Sequence, residues 1–76
     1  MITINLREGE EYIKLGQAMK KAGLVGSGVD AKVIIQDGLV KVNGEVDTRR
    51  GKKLYKGDTF EYDNNVVKVE DSVNVC

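Results

Sequence analysis

The apolar residues change their spacing near Gly38, and this change constrains the fold more than any other feature of the sequence. Before it, Ala31, Ile34, Ile35 and Gly38 follow the i, i+3, i+4, i+7 pattern, which lines up on one side of a helix. After it, Val40 and Val42 alternate with Leu39 and Lys41, and a period of two predicts a strand. Asn43-Gly44 follows at once. Both central positions of a two-residue hairpin turn favour φ > 0, which Asn and Gly accept at least cost. A helix must therefore stop, and a hairpin start, within a few residues.

Upstream, Leu15, Ala18, Met19 and Ala22 repeat the helical spacing. They predict a first helix over residues 14–22, stopped by Gly23 at C′ with Leu24 as the apolar C″ residue. Gly26-Ser27-Gly28 makes a tight connection, and Ser27 with Asp30 three residues later has the form of a capping box. The second helix is expected over 28–37, with Gly38 at its C′ position. Ile2, Ile4 and Leu6 alternate with Thr3 and Asn5, predicting a short strand before a polar connector at 7–11. Downstream, strands are expected at 45–47, 59–62 and 66–70, with a basic loop at 48–53 and a turn at Asp63-Asn64-Asn65. The expected fold is α+β: an N-terminal strand, a helical hairpin, then a small antiparallel β-sheet. One domain is expected over 1–76, with its core at about 12–70 and a loose tail at 71–76.

Such a short chain supports one small core, and the usual staples are missing. Cys76 is the single cysteine, so no intrachain disulfide can form, and there is neither histidine nor Cys-x-x-Cys to hold zinc. A lone cysteine fits a reducing cytoplasm. No segment reaches the ~18 apolar residues of a membrane span, and no secretion signal is expected. Catalysis is nearly excluded: acid–base histidine is absent, and Ser27 and Cys76 have no base nearby in sequence. Gly23, Gly26 and Gly28 follow a helix and lack the Gly-Lys-Ser/Thr of a nucleotide loop. No cofactor, metal or small-molecule substrate is expected.

The formal net charge is zero, but its distribution is uneven. From Lys14 to Lys56 there are ten basic and four acidic residues, and outside that stretch two basic and eight acidic ones. Such asymmetry can give one face a field that attracts phosphate. Lys14 and Lys21, seven apart, are expected on one flank of the first helix, with Lys20 on its far side. Lys32 flanks the stripe of the second helix, and Lys41 points away from Val40 and Val42. Arg49, Arg50, Lys52 and Lys53 crowd one loop, which must be solvated or hold an anion. Arg and Lys together suit phosphate. Of the aromatics Tyr12, Tyr55, Phe60 and Tyr62, the last two share a strand face, where core packing is the expected use. Recognition of shape and backbone is expected, not a stacking platform.

Leu15, Gly23-Leu24, Ser27, Ala31-Lys32, Ile34-Ile35, Gly38, Val40, Val42-Asn43-Gly44 and Gly57-Asp58 together resemble the RNA-binding domain family named after small-subunit ribosomal protein S-four. The likeness covers most of the chain and is closest to the short stand-alone bacterial members of the YaaA and YbcJ type. The resemblance implies the compact αL motif, two helices and a hairpin, and it implies that the polyanion is structured RNA, chiefly ribosomal or transfer RNA. It points to Lys14, Ser27, Lys32, Lys41 and Asn43 as contacts, beside the Lys21 flank and the loop of Arg49, Arg50, Lys52 and Lys53. Many members carry arginine directly after the serine, where this chain has Gly28, and the basic loop is expected to compensate. A role in ribosome assembly or translation follows from the same resemblance. The competing expectation is a protein-interaction domain whose basic face docks an acidic partner.

Overall fold

Local signals place the helix ends. In the computed structural model, which describes residues 1–71, Ser27 caps helix α2 (Gly28–Gln36): its Oγ accepts the Asp30 N–H at 3.2 Å. Helix α1 (Leu15–Lys21) and α2 both stop in the double hydrogen bond of a Schellman turn. Gly23 and Leu24 N–H donate to the Lys20 and Met19 carbonyls, and Gly38 and Leu39 N–H donate to those of Ile35 and Ile34. Gly23 and Gly38 sit at φ of 77° and 76°, as an αL stop requires. The predicted hairpin forms between β3 (Lys41–Val42) and β4 (Glu45–Val46), with Asn43 and Gly44 at φ of 50° and 86°.

The strand β6 (Thr59–Tyr62) pairs antiparallel with β3 and with β7 (Asn65–Glu70). The N-terminal strand β1 (Ile2–Asn5) then adds to β7 in parallel, with Ile2 opposite Val67 and Asn5 opposite Glu70. The sheet order is β1-β7-β6-β3-β4. The strands after the helices are thus antiparallel as expected, and β1 makes the whole sheet mixed. Two further strands appear that the sequence did not suggest: one covers Lys14, expected at the start of the first helix, and the other covers Lys53, expected at the end of the basic loop. β2 (Tyr12–Lys14) pairs antiparallel with β5 (Lys53–Tyr55) as a separate ribbon.

One apolar cluster joins these parts. It takes Ile4 and Leu6 from the N-terminal segment, Leu15, Ala18 and Met19 from α1, and Ala31 and Ile35 from α2. Val40, Val42, Phe60, Val67 and Val69 come from the sheet side, and Ile13 and Leu54 from the ribbon. Phe60 is buried and Tyr62 packs against the cluster, so both serve the core as expected. Among the described residues no polar or charged side chain is buried. Every described cation therefore lies at the surface, and what matters is which of them share a face. Of the expected tail, residues 72–76, Cys76 among them, lie outside the described residues; Asn5 Nδ2 donates to the carbonyl of Asp71 at 2.9 Å.

Candidate nucleic-acid interface

The basic loop is fixed through its backbone. The first N–H groups of a helix need acceptors, and Lys14, at the cap position of α1, supplies none from its side chain. Two loop carbonyls do so instead. Leu15 N–H donates to Lys52 at 2.8 Å, and Gly16 N–H donates to Arg50 at 3.1 Å. Gly16 permits this approach: a Cβ on it would stand 2.9 Å from Arg50 Cγ. The stem of Arg50 therefore lies against the first turn of α1.

The ribbon is the second anchor. Ile13 and Leu54 stand opposite each other and are buried, so alternation turns Tyr12, Lys14, Lys53 and Tyr55 outward. Lys14 faces Lys53 across the ladder. A third constraint is Asp47, whose side chain is mostly covered. Its Oδ1 accepts the Arg49 backbone N–H at 2.9 Å and Nε at 3.1 Å, while Oδ2 accepts Nη2 at 2.9 Å. The side-chain bonds from Arg49 hold the Asp47 carboxyl below its ordinary value; burial opposes this, and the Arg49 N–H and the charges of Arg49 and Lys52 reinforce it. The same bond raises the Arg49 guanidinium further above its already high value.

These anchors bring separate segments together. Lys14, Gly16, Gln17 and Lys20 line a concavity of about 330 Å³ with Gly28, Arg50 and Gly51. Arg49, Lys52, Lys53 and Tyr55 border the adjoining surface. Lys32 is exposed one turn after Gly28 on the same side of α2. A patch of positive charge thus runs from the start of α2 across the start of α1 and along the loop into the ribbon. It can hold phosphate oxygens by charge and, at Arg50, by paired donors.

The match to known proteins takes in the whole patch and most of the described residues. The S4 domain family matches residues 4–70. The chain belongs to that family. This S4 domain is 49% identical over 51 residues to the probable ribosome maturation protein RlbA of Bacillus subtilis, covering 67% of this chain and 72% of that one. It is 36% identical over 58 residues to the putative RNA-binding protein YbcJ of Escherichia coli, covering 76% and 83% respectively. The solution structure of YbcJ, described as revealing an αL motif involved in RNA binding, superposes with a TM-score of 0.69. That match is 34% identical and covers 92% of this chain and 87% of YbcJ. The α+β fold and the αL arrangement of helices and hairpin are those of YbcJ.

Within this S4 domain the expected contact residues divide. Lys14, Arg50, Lys52 and Lys53 come together, and Lys32 extends their surface. Lys21 does not join them: it donates to the Asn5 carbonyl and lines another concavity with Arg7, Glu10, Ile13, Gln17 and Lys20. Lys20, expected on the far side, stands with Lys14 instead. The spacing argument failed because Lys14 is in the extended conformation, φ −75° and ψ 145°, so β2 and not the helix sets its direction. Lys41 lies opposite Glu61 on the sheet face away from the core, apart from the patch. Asn43 is engaged internally, accepting Thr59 N–H at 3.0 Å and donating to Asp58 Oδ1 at 3.3 Å. Ser27 is engaged as the α2 cap. Sequence reasoning overlooked Gly16, set Lys20 apart from Lys14, and gave Tyr12 and Tyr55 no individual role. For the tyrosines a signal existed: Tyr12-Ile13-Lys14 and Lys53-Leu54-Tyr55 are mirror-image triplets around an apolar centre.

Proposed function

We propose that this S4 domain binds structured RNA, ribosomal or transfer RNA, chiefly through phosphate contacts, and acts in the cytoplasm in ribosome assembly or translation. The observation that carries the reading is the convergence of Lys14, Lys20 and Arg50, from three segments, on one concavity, with Lys52 and Lys53 beside it. The names of its relatives RlbA and YbcJ point the same way. Arg50 and Gly28 line one concavity, so the loop arginine supplies charge beside the position where many family members carry an arginine of their own. Backbone contacts fix position and carry little sequence information, so recognition is of RNA shape.

The test is crosslinking in the protein's own cells followed by sequencing of the attached RNA, for the natural chain and for a chain with Arg49, Arg50, Lys52 and Lys53 changed to Ala. Arg50 and Lys53 are exposed, where substitutions usually shift stability by less than about 0.5 kcal/mol each; Lys52 is half-buried and Arg49 pairs with Asp47, so thermal melting verifies that the variant folds. Enrichment at defined ribosomal or transfer RNA positions, reduced severalfold in the variant, supports the reading. Background RNA in both, or equal enrichment in both, refutes the target or the face.

A further inference from the structure

The outer face of the β2–β5 ribbon has a composition that neither core packing nor general solubility explains. Tyr12 faces Tyr55 and Lys14 faces Lys53, so four residues on one side form an aromatic pair beside a cationic pair. Like charges directly opposite in an antiparallel ladder are unfavourable, and among the described residues neither lysine makes an ion pair. Tyr55 is 47% exposed although its ring is large and flat. The two rings meet at 54° with centroids 5.8 Å apart, so they are tilted against each other and not stacked. Lys53 Nζ rests 4.9 Å from the centre of the Tyr12 ring, a cation–π contact that occupies that ring in the free protein.

The ribbon is also held in place. Tyr55 N–H donates to Asp58 Oδ2 at 2.7 Å, and Asp58 N–H donates to the Tyr55 carbonyl at 2.9 Å. At the other end the Lys52 carbonyl caps α1. Ile13 and Leu54 root both strands in the core. The tyrosines therefore stand on a fixed base, which lowers the ordering cost of binding.

We propose that this face is a subsite for one unpaired nucleotide, whose base stacks on Tyr55 and whose flanking phosphates lie between Lys14 and Lys53. The proposal rests on the RNA-binding reading above and adds a single-strand contact to it. A phosphate between the two lysines relieves their repulsion. It also draws Lys53 off Tyr12, which frees that ring for the second side of the site. Every base has a π-face, so the subsite tolerates sequence and selects for an unstacked base. A bulge or loop beside a duplex fits it, with the duplex phosphates on the patch around Arg50.

The experiment uses the full chain and two RNAs of equal charge: a hairpin whose loop is unpaired uridines, and a blunt duplex lengthened until it carries the same number of phosphates. Affinities are measured for the natural chain, Tyr55→Leu and Tyr55→Phe, with thermal melting to verify folding. The natural chain is expected to bind the looped RNA more tightly by about fivefold or more, the low end for one stacked base. Tyr55→Leu, which keeps apolar cover over the ribbon, should lose that preference and keep its duplex affinity. Tyr55→Phe should keep both. Equal binding of the two RNAs by the natural chain, or an undiminished preference in Tyr55→Leu, overturns the subsite and leaves the phosphate reading standing. Binding of neither RNA by any of the three overturns both.

Discussion

Arg49 and Arg50 are adjacent arginines in one exposed loop, and the structure predicts different consequences for losing them. Arg49 is bound through its side chain and backbone to Asp47, so it brings its own anion and adds little net charge to a phosphate. Among the described residues Arg50 has no such partner, and it lines the concavity with Lys14 and Lys20. Counting Lys14, Lys20, Arg50, Lys52 and Lys53 as the cations that neutralise phosphate, a cost of about 0.9 each gives a log–log salt slope of about −4.5. Raising salt from about 50 to about 200 mM should then weaken binding about 500-fold. In Arg50→Ala the slope should flatten to about −3.6, and the same salt step should cost only about 150-fold. Arg49→Ala should keep a slope near −4.5. Fluorescence anisotropy of a labelled RNA stem-loop, titrated at several salt concentrations, reads all three slopes. Equal flattening by the two substitutions would refute the Asp47 argument. A nearly flat slope in the natural chain would refute phosphate binding altogether.

Asn43→Ala should lower stability by about 1–2 kcal/mol in urea denaturation, because the Thr59 N–H loses its acceptor and Asp58 a donor. RNA affinity of the folded variant should be unchanged; unchanged stability with lost affinity would make Asn43 an RNA contact instead. Gly16→Ala should displace Arg50, whose Cγ would stand 2.9 Å from the new methyl carbon, and so flatten the salt slope by about 0.9, as Arg50→Ala does. An unaltered slope would show that Arg50 binds RNA from another position. Acid titration followed by NMR should show the Arg49 amide shifting with a midpoint below the ordinary aspartate value of 3.8, because its acceptor Asp47 is held low by the Arg49 bonds. The Asp47 contribution to stability is complete above the unfolded carboxyl value and is lost as pH falls through the lower folded one. A midpoint at or above 3.8 would contradict the pairing.

Features with local causes were legible in the sequence. The Ser27 cap, the stops at Gly23 and Gly38 and the Asn43-Gly44 turn each depend on a few neighbouring residues, and each forms where the spacing placed it. The ribbon was not legible, because a three-residue strand spans too little of a period to stand out. Its pairing also joins residues about forty positions apart. The parallel seat of β1 on β7 is a still longer-range choice. The same limit governed the candidate site. That the loop of Arg49, Arg50, Lys52 and Lys53 is basic follows from composition. That its carbonyls cap α1, and so set Arg50 beside Lys14 and Lys20, follows only from the folded backbone. Ser27 and Asn43 show the converse: their side chains are engaged in a cap and a turn, which motif resemblance alone does not distinguish from binding.

The pairing of β1 with β7 also sets an order of assembly. Ile2 finds Val67 and Asn5 finds Glu70, so β1 is synthesised some sixty-five residues before the strand that pairs it. The stops of both helices and the β3–β4 pairing join near neighbours in sequence, whereas the cap of α1 needs Arg50 and Lys52. β1 must wait, with its backbone donors and acceptors in water, until residue 70 has emerged. A charged and polar run at 7–11 follows it, and the pairing of β1 with β7, the one of longest sequence separation in the sheet, is of the kind that closes slowly.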